Sequence, residues 1–453
     1  MLLKNRSADQ INLYKLIKYI HESKLAYKIE SYATHVAEQD AASKAPISST
    51  PVLHTLVSFL TALTNLSSEG RIFYEKIPSN PPDIKLSYLL LSPTHAFSSI
   101  ATRARAVILA GGTMSPFDDY KTHLFSYLDA QKITTLSCGH VIPPSNLCVW
   151  TLASTRPATG GSVAPDTFEF GFQKRSDKSM IRQLGLAILN VCSVVPDGVV
   201  VFFPSYGYLD EVVGVWQAAD AAGGRDAKSI WSRLGDKKTV LRETKGGSSD
   251  EILREYSEAI LGPEQTDTKS TQSLPTAGRS PKGALLLSVV GGKMSEGINF
   301  SDRLGRCVLI VGLPYPNANS PEWKARTEYL ESSTLARLTQ PPDAAAEADQ
   351  APKSMSHPQA VAASKQTARD FYENACMRAV NQSIGRAIRH RGDYASIILV
   401  DRRFATERIR GKLPGWIRGG MVQGSENKGV QGLMGALSVF FKGKREEAAS
   451  ASN

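Results

Sequence analysis

The sequence is poor in sulfur and lacks any long apolar run. Its five cysteines stand at 138, 148, 192, 307 and 376, scattered through 453 residues, and none forms a CxxC pair. That spacing supports neither a disulfide framework nor a zinc knuckle, so no metal site is expected, and it fits a reducing compartment. The longest apolar runs, 199–203, 284–290 and 307–313, fall well short of the ~18–20 residues that span a bilayer. No membrane partner is expected. The first ten residues lack an apolar core, so no secretory leader is expected either. What is present is an ordinary globular composition, with 42% hydrophobic and 21% charged residues. It excludes a wholly disordered chain and leaves enough apolar surface for a core. At ~100–200 residues per domain the length allows two to four domains. Lys and Arg outnumber Asp and Glu by 53 to 43, a net charge of +10. That excess permits an anionic partner without naming one.

Residues 11–33 and 51–66 carry apolar side chains near helical spacing. The run 105–110 predicts a strand that ends in Gly111-Gly-Thr-Met-Ser-Pro116. From about residue 150 the pattern changes. Short branched runs at 149–152, 198–203, 238–241, 284–290, 307–311 and 396–400 read as strands, and 179–194, 206–218 and 249–261 read as helices. Strands alternating with helices predict an α/β fold with a parallel sheet covered on both faces. The stretches 155–166, 262–282 and 340–366 are rich in Gly, Ser, Pro or Ala and read as loops or poorly ordered insertions. The end of the chain from Arg445 reads as frayed.

Four stretches combine chemistry with a strand end or a helix. In Gly111-Gly-Thr-Met-Ser-Pro116, Thr113 and Ser115 offer hydroxyls at a strand exit; the plainer alternative is a turn with Ser115 as helix cap and Pro116 at the first helical position. In Val201-Phe-Phe-Pro-Ser-Tyr206, Ser205 and Tyr206 could meet a phosphate or a base, or could be a cap and a half-buried aromatic. In Gly291-Gly-Lys-Met-Ser-Glu-Gly-Ile-Asn-Phe300 the glycines let backbone N–H groups approach an anion and Lys293 adds charge. This is not the GxxxxGK[ST] phosphate loop, because Met294 follows Gly292-Lys293. In Asn381-Gln-Ser-Ile-Gly-Arg-Ala-Ile-Arg-His-Arg391, a helix would put Gln382, Arg386 and Arg389 on one face and Ile384 and Ile388 on another. Two guanidiniums on one face suit an anion between them, since each fork donates paired hydrogen bonds and keeps its charge. A solvated basic face is the alternative. Around this stretch, residues 377–418 carry ten Arg and Lys against three carboxylates, which favours a polyanion.

Taken together and in order, these stretches resemble motifs III, IV, V and VI of the C-terminal half of XPD-like DNA helicases of superfamily 2. The wording is most similar to the chromosome-loss branch that acts in sister-chromatid cohesion. The phrases that carry this are INLYKLIKYIHESKLAYKIE, LAGGTMSPFDDY, CGHVIPPSNLCVW, FEFGFQKR and RAIRHRGDYA, with Asn299 where many XPD relatives have Asp and His390 after Arg389. The resemblance implies a RecA-like motor fold of the P-loop NTPase type, with the second lobe complete and the first partial. It divides the chain into 1–85 as the remnant of a helical arch insertion, 86–145 as part of the first lobe, 146–420 as the second lobe and 421–453 as a tail. It further implies a 5′→3′ helicase in the nucleus, using ATP and Mg²⁺ clamped between two lobes, with single-stranded or forked DNA as partner. Cohesion and replication factors are implied as further partners. Arg386 and Arg389 would be arginine fingers ordered by Gln382. Glu296, Gly297 and Asn299 would sense the nucleotide. Thr113 and Ser115 would couple hydrolysis to DNA, and Ser205, Tyr206 and Lys293 would contact the DNA backbone.

The sequence departs from that pattern. Every Gly-Lys pair (292–293, 411–412, 443–444) lacks a following hydroxyl residue, and the Asp-Glu pairs at 210–211 and 250–251 run into Val-Val and Ile-Leu. The cysteine cluster that would hold the family's iron–sulfur cluster is also missing. The expected chain is therefore a C-terminal half. The alternatives are one half of a split helicase, or a non-catalytic nucleic-acid-binding or interaction protein descended from one.

Overall fold

The computed structural model of the chain describes residues 11–39, 52–65, 67–77, 82–112, 114–139, 141–157, 166–218, 228–262, 283–297, 300–339 and 355–451. Two units emerge. The first takes its residues from 1–107, 120–130 and 317–369, the second from 108–119, 131–316 and 370–453.

In the first unit the expected helical stretch 11–33 becomes two helices, Leu13–Glu22 and Leu25–Gln39. Asn12 caps the first by accepting from Lys15 N at 3.1 Å, and Lys24 breaks the run with φ at +52°. A third helix, Val52–Ala62, matches the second periodic stretch. Strands β1 (Gly70–Ile77) and β2 (Asp83–Leu90) form an antiparallel hairpin. Charges stand within both strands, at Arg71, Glu75 and Lys76 in β1 and at Asp83 and Lys85 in β2. The core of this unit is small. Ile20, Ala26 and Val57 are buried, while Tyr14, Tyr19, Tyr27 and Tyr32 are exposed.

The expected strand at 105–110 does not form, and Ile108 is 88% exposed. A strand needs a hydrogen-bonded neighbour, and no described strand lies beside these residues.

In the second unit six strands occur in chain order: β3 (Leu147–Leu152), β4 (Gly198–Phe203), β5 (Thr239–Arg242), β6 (Ala284–Val289), β7 (Cys307–Val311) and β8 (Ala395–Val400). They form one fully parallel sheet in the order β3-β8-β7-β4-β6-β5. Side chains alternate across it. Val199, Val201 and Phe203 of β4 enter one core with Leu285, Leu287, Leu309 and Ile398; Val200 and Phe202 enter the other with Leu286, Ile310 and Ile397. Parallel strands covered on both faces read as near-continuous apolar runs, which is why these runs show no polar alternation; Thr151, Ser288 and Ser396 are buried polar exceptions. Helices Lys178–Val194, Tyr206–Gln217 and Ile230–Lys237 supply the first core, and helix Ser249–Leu261 supplies the second. This is the RecA-like α/β architecture expected of the second lobe.

Three expectations change. The stretch 421–453, read as a tail fraying from Arg445, contains the helix Gly429–Ala451. Leu433, Leu437 and Phe441, four residues apart, lie on one face of it and are buried in the first core. Lys444 Nζ donates to Asn146 Oδ1 at 2.7 Å. Truncating Leu437 to alanine should cost about 2–5 kcal/mol, read as a lower urea midpoint; an unchanged midpoint contradicts this packing. Second, helix His357–Ile384 begins inside the 340–366 stretch and buries Ala360 and Ser364. Alanine favours helix and Pro358 stands in the first turn, where proline is tolerated. Residues 340–354 lie outside the described residues, as does most of 262–282. Third, the same helix ends at Ile384, before Arg386 and Arg389.

Candidate functional site

Strands β4, β5 and β6 are neighbours and end side by side, so the segments after them share the carboxyl edge of the sheet, where open α/β sheets hold ligands. After β4, Ser205 Oγ accepts from Tyr208 N at 3.2 Å and caps helix Tyr206–Gln217. After β6, Val290 N donates to Phe203 O at 2.9 Å, and Gly291 takes φ +72°. After β5 comes Glu243, which is only 3% exposed. Its carboxylate accepts from Tyr206 Oη (2.7 Å), Ser288 Oγ (2.6 Å), Val289 N (3.0 Å) and Met294 N (3.3 Å). A Cβ on Gly292 would lie 2.6 Å from Glu243 Oε1 and 2.8 Å from Tyr206 Oη, so a side chain here would displace one of these groups. Lys293, exposed, opens the short helix Lys293–Gly297.

Tyr206, expected at the DNA backbone, donates its hydroxyl to Glu243 in this structure. Burial first, then the hydrogen bond to Glu243 and that residue's charge, push its hydroxyl up to about 12. The group stays protonated, and its one proton is committed to Glu243. It has none to donate to a phosphate. Ser205 is the helix cap of the plainer alternative. Ser115 is not a cap: it is half-buried, and the helix after it starts at Asp118. Asp118 and Asp119 give that helix an acidic first turn, which its dipole favours.

Toward the opposite edge the chain prepares β8. Gln382 is exposed on the last turn of helix His357–Ile384. Beyond it the chain tightens: Gly385 N donates to Asn381 O (2.9 Å), Arg386 N to Ser383 O (3.4 Å) and Ala387 N to Ile384 O (3.1 Å). Arg386 is half-buried and Arg389 exposed, on this turn and the segment after it. The single helical face expected for Gln382, Arg386 and Arg389 is therefore replaced by a helix end and a turn. Ile384 and Ile388 are buried as expected. Arg386 O accepts from Phe300 N at 3.3 Å, which ties the turn to the end of the Gly291–Phe300 stretch.

Asp393, 1% exposed, holds the far end of this segment. It accepts from Arg306 Nη1 (3.0 Å), from Tyr394 N (2.8 Å) and from Asp302 N (3.2 Å). The Arg306 guanidinium lies 3.8 Å over the Tyr394 ring. His390 Nε2 lies 2.8 Å from Asp302 Oδ1. Asp302, His390 and Asp393 are the one group of metal-capable side chains among the described residues, and these contacts already engage all three. On the upstream side, Asp119 pairs with Arg378 and accepts from Asn374 Nδ2 at 2.8 Å.

The basic stretch 377–418 is less open to a polyanion than its composition implies. Arg378, Arg402, Arg403, Arg408, Arg410 and Lys412 pair with Asp119, Glu169, Asp401, Glu373, Glu426 and Glu373 respectively. Most of these carboxylates come from outside the stretch, so counting charges within it missed them. Thr113 and Asn299 lie outside the described residues, while Glu296 and Gly297 belong to the short helix opened by Lys293.

The cysteines do not fit an iron–sulfur cluster. Four are buried, burial pushes Cys148 up to about 11 and Cys192 and Cys307 up to about 12, and no three sulfurs among the described residues converge on one point.

Residues 188–420, just over half of the chain and nearly all of the parallel sheet, match the model of the helicase C-terminal domain. The chain belongs to that helicase family. It is 54% identical to the ATP-dependent DNA helicase chl1 of Neurospora crassa over 98% of its own length and 45% of that protein's. It is 44% identical to the protein of the same name from Sclerotinia sclerotiorum, covering 98% and 51%. With that from Yarrowia lipolytica it shares 41%, covering 97% and 48%. The chain thus spans about half the length of the curated relatives it matches. Its likeness to them is as strong in wording as the chromosome-loss resemblance implied.

The sequence missed Glu243, Asp393 with Arg306, and Asp119. Glu243 had a usable signal, since it directly follows a strand at the carboxyl edge. The others depend on pairings across 87 and 259 positions, which no local pattern encodes.

Proposed function

We propose that this chain is the arginine-bearing lobe of a DNA-dependent ATPase motor, which unwinds DNA 5′→3′ when joined to a lobe that holds ATP. One observation carries this. The Gly291–Phe300 stretch begins at the Glu243–Tyr206 corner of the carboxyl edge and ends hydrogen-bonded to the backbone of Arg386. A ligand at either end bears on one continuous piece of chain. Single-stranded or forked DNA would lie along the carboxyl edge, meeting Lys293 and Ser205, with Thr113 and Ser115 coupling it to hydrolysis. Arg386 and Arg389, ordered by Gln382, would stabilise charge developing on the terminal phosphoryl group. Glu296, Gly297 and Asn299 would respond to the nucleotide between those two ends.

Mg²⁺, when bound with ATP, neutralises phosphate charge. The one metal-capable group among the described residues is already engaged, so the other lobe would hold the ion. In the nucleus such a motor would serve sister-chromatid cohesion, replication and repair, with cohesion and replication factors as partners.

Titrating the chain into labelled single-stranded DNA at several salt concentrations tests the DNA half of this proposal. The account expects affinity to fall with salt at a slope of about −0.7 per phosphate contact, with a shallower slope for Lys293→Ala. Salt-independent binding, or no binding at low salt, contradicts it.

A further inference from the structure

We infer that Glu243 is a positioning residue for nucleic-acid binding: its carboxylate holds Tyr206 and the turn that carries Lys293 as one piece. This rests on the proposal that the carboxyl edge binds single-stranded DNA. A carboxylate offers about four acceptor sites, and here four donors use them. Those donors come from three elements: Tyr206 at the start of its helix, Ser288 and Val289 at the end of β6, and Met294 in the helix opened by Lys293. Among the described residues no Lys or Arg pairs with Glu243, so its charge is balanced by hydrogen-bond donors alone. A buried carboxylate is costly unless so satisfied. The satisfied state therefore exists only when all three elements are in register. Gly292 leaves no space between them, since a Cβ there would meet both Glu243 and Tyr206. Tyr206 is then a strut that transmits the position of Glu243, not a phosphate donor.

The inference makes a prediction opposite in sign to simple electrostatics. Glu243→Gln removes a negative charge from the edge that meets a polyanion, which by charge alone tightens binding. It also turns an N–H₂ group toward donors that need an acceptor, which releases the turn. The inference expects the second effect to win: Kd for single-stranded DNA rises about tenfold, and the salt slope flattens by about 0.7 as the Lys293 contact is lost. Lys293→Ala should give the same slope, and the double variant should be no weaker than either single one, because both remove one contact. A general loss of fold would leave the slope of the folded fraction unchanged and would add to Lys293→Ala. Tyr206→Phe deletes one donor and leaves the charge intact; it should flatten the slope in the same direction and decides the matter if Glu243→Gln does not fold. An unchanged or tighter Kd for Glu243→Gln, with Lys293→Ala still weakened, overturns the inference alone, as does an unchanged slope for Tyr206→Phe. No effect of Lys293→Ala overturns the proposed DNA edge and the inference with it.

Discussion

Replacing Arg386 with alanine, in this chain combined with a lobe that holds ATP, is expected to lower turnover by a factor of about 10³–10⁵. Arginine fingers act on charge that appears only in the transition state, so the loss should fall on the rate at saturating ATP and leave ATP binding nearly unchanged. Arg386→Lys should not restore the rate, because an ammonium is a point charge and lacks the planar fork. The backbone of Arg386 is fixed by Phe300, and its turn by Asn381 and Ser383. The alanine variant should therefore keep its fold and its affinity for DNA. A variant that turns over ATP at the parent rate contradicts the role assigned to Arg386.

The second large effect is on stability. Asp393 and Arg306 form an ion pair with side chains 0% and 8% exposed. Removing one partner of such a pair leaves a buried charge without compensation, at about 3–5 kcal/mol. Asp393→Ala should lower the urea midpoint accordingly. Converting Arg306 to methionine in the same chain should restore part of the loss by removing the stranded cation. Full restoration is not expected, because Tyr394 N and Asp302 N also lose their acceptor. The consequence reaches function: Asp393 anchors the segment that carries Arg386 and Arg389 to the starts of β7 and β8. A loss below 1 kcal/mol contradicts the anchoring role.

The parallel sheet was legible because its strands are buried on both faces and separated by helices with ordinary caps. Such runs are predominantly apolar, and their ends are marked by Gly, Pro and Ser. Chain geometry that depends on partners was not legible. The run 105–110 has the composition of a strand, but among the described residues no strand pairs with it. Residues 429–451 looked like a tail because the apolar stripe of Leu433, Leu437 and Phe441 is diluted by four glycines between 429 and 443. At the site, the wording of the motifs singles out residues but does not give their surroundings. The hydrogen bond from Tyr206 to Glu243 was not legible, because that acceptor follows a different strand.

ATP hydrolysis by the purified chain, alone and mixed with the nucleotide-holding lobe of a full-length relative such as the Neurospora crassa helicase, is the most direct test of whether these arginines serve a nucleotide bound elsewhere. The account predicts no turnover by the chain alone, and DNA-stimulated turnover in the mixture that disappears with Arg386→Ala. Arg386-dependent turnover by the chain alone, or turnover in the mixture that ignores Arg386, contradicts it.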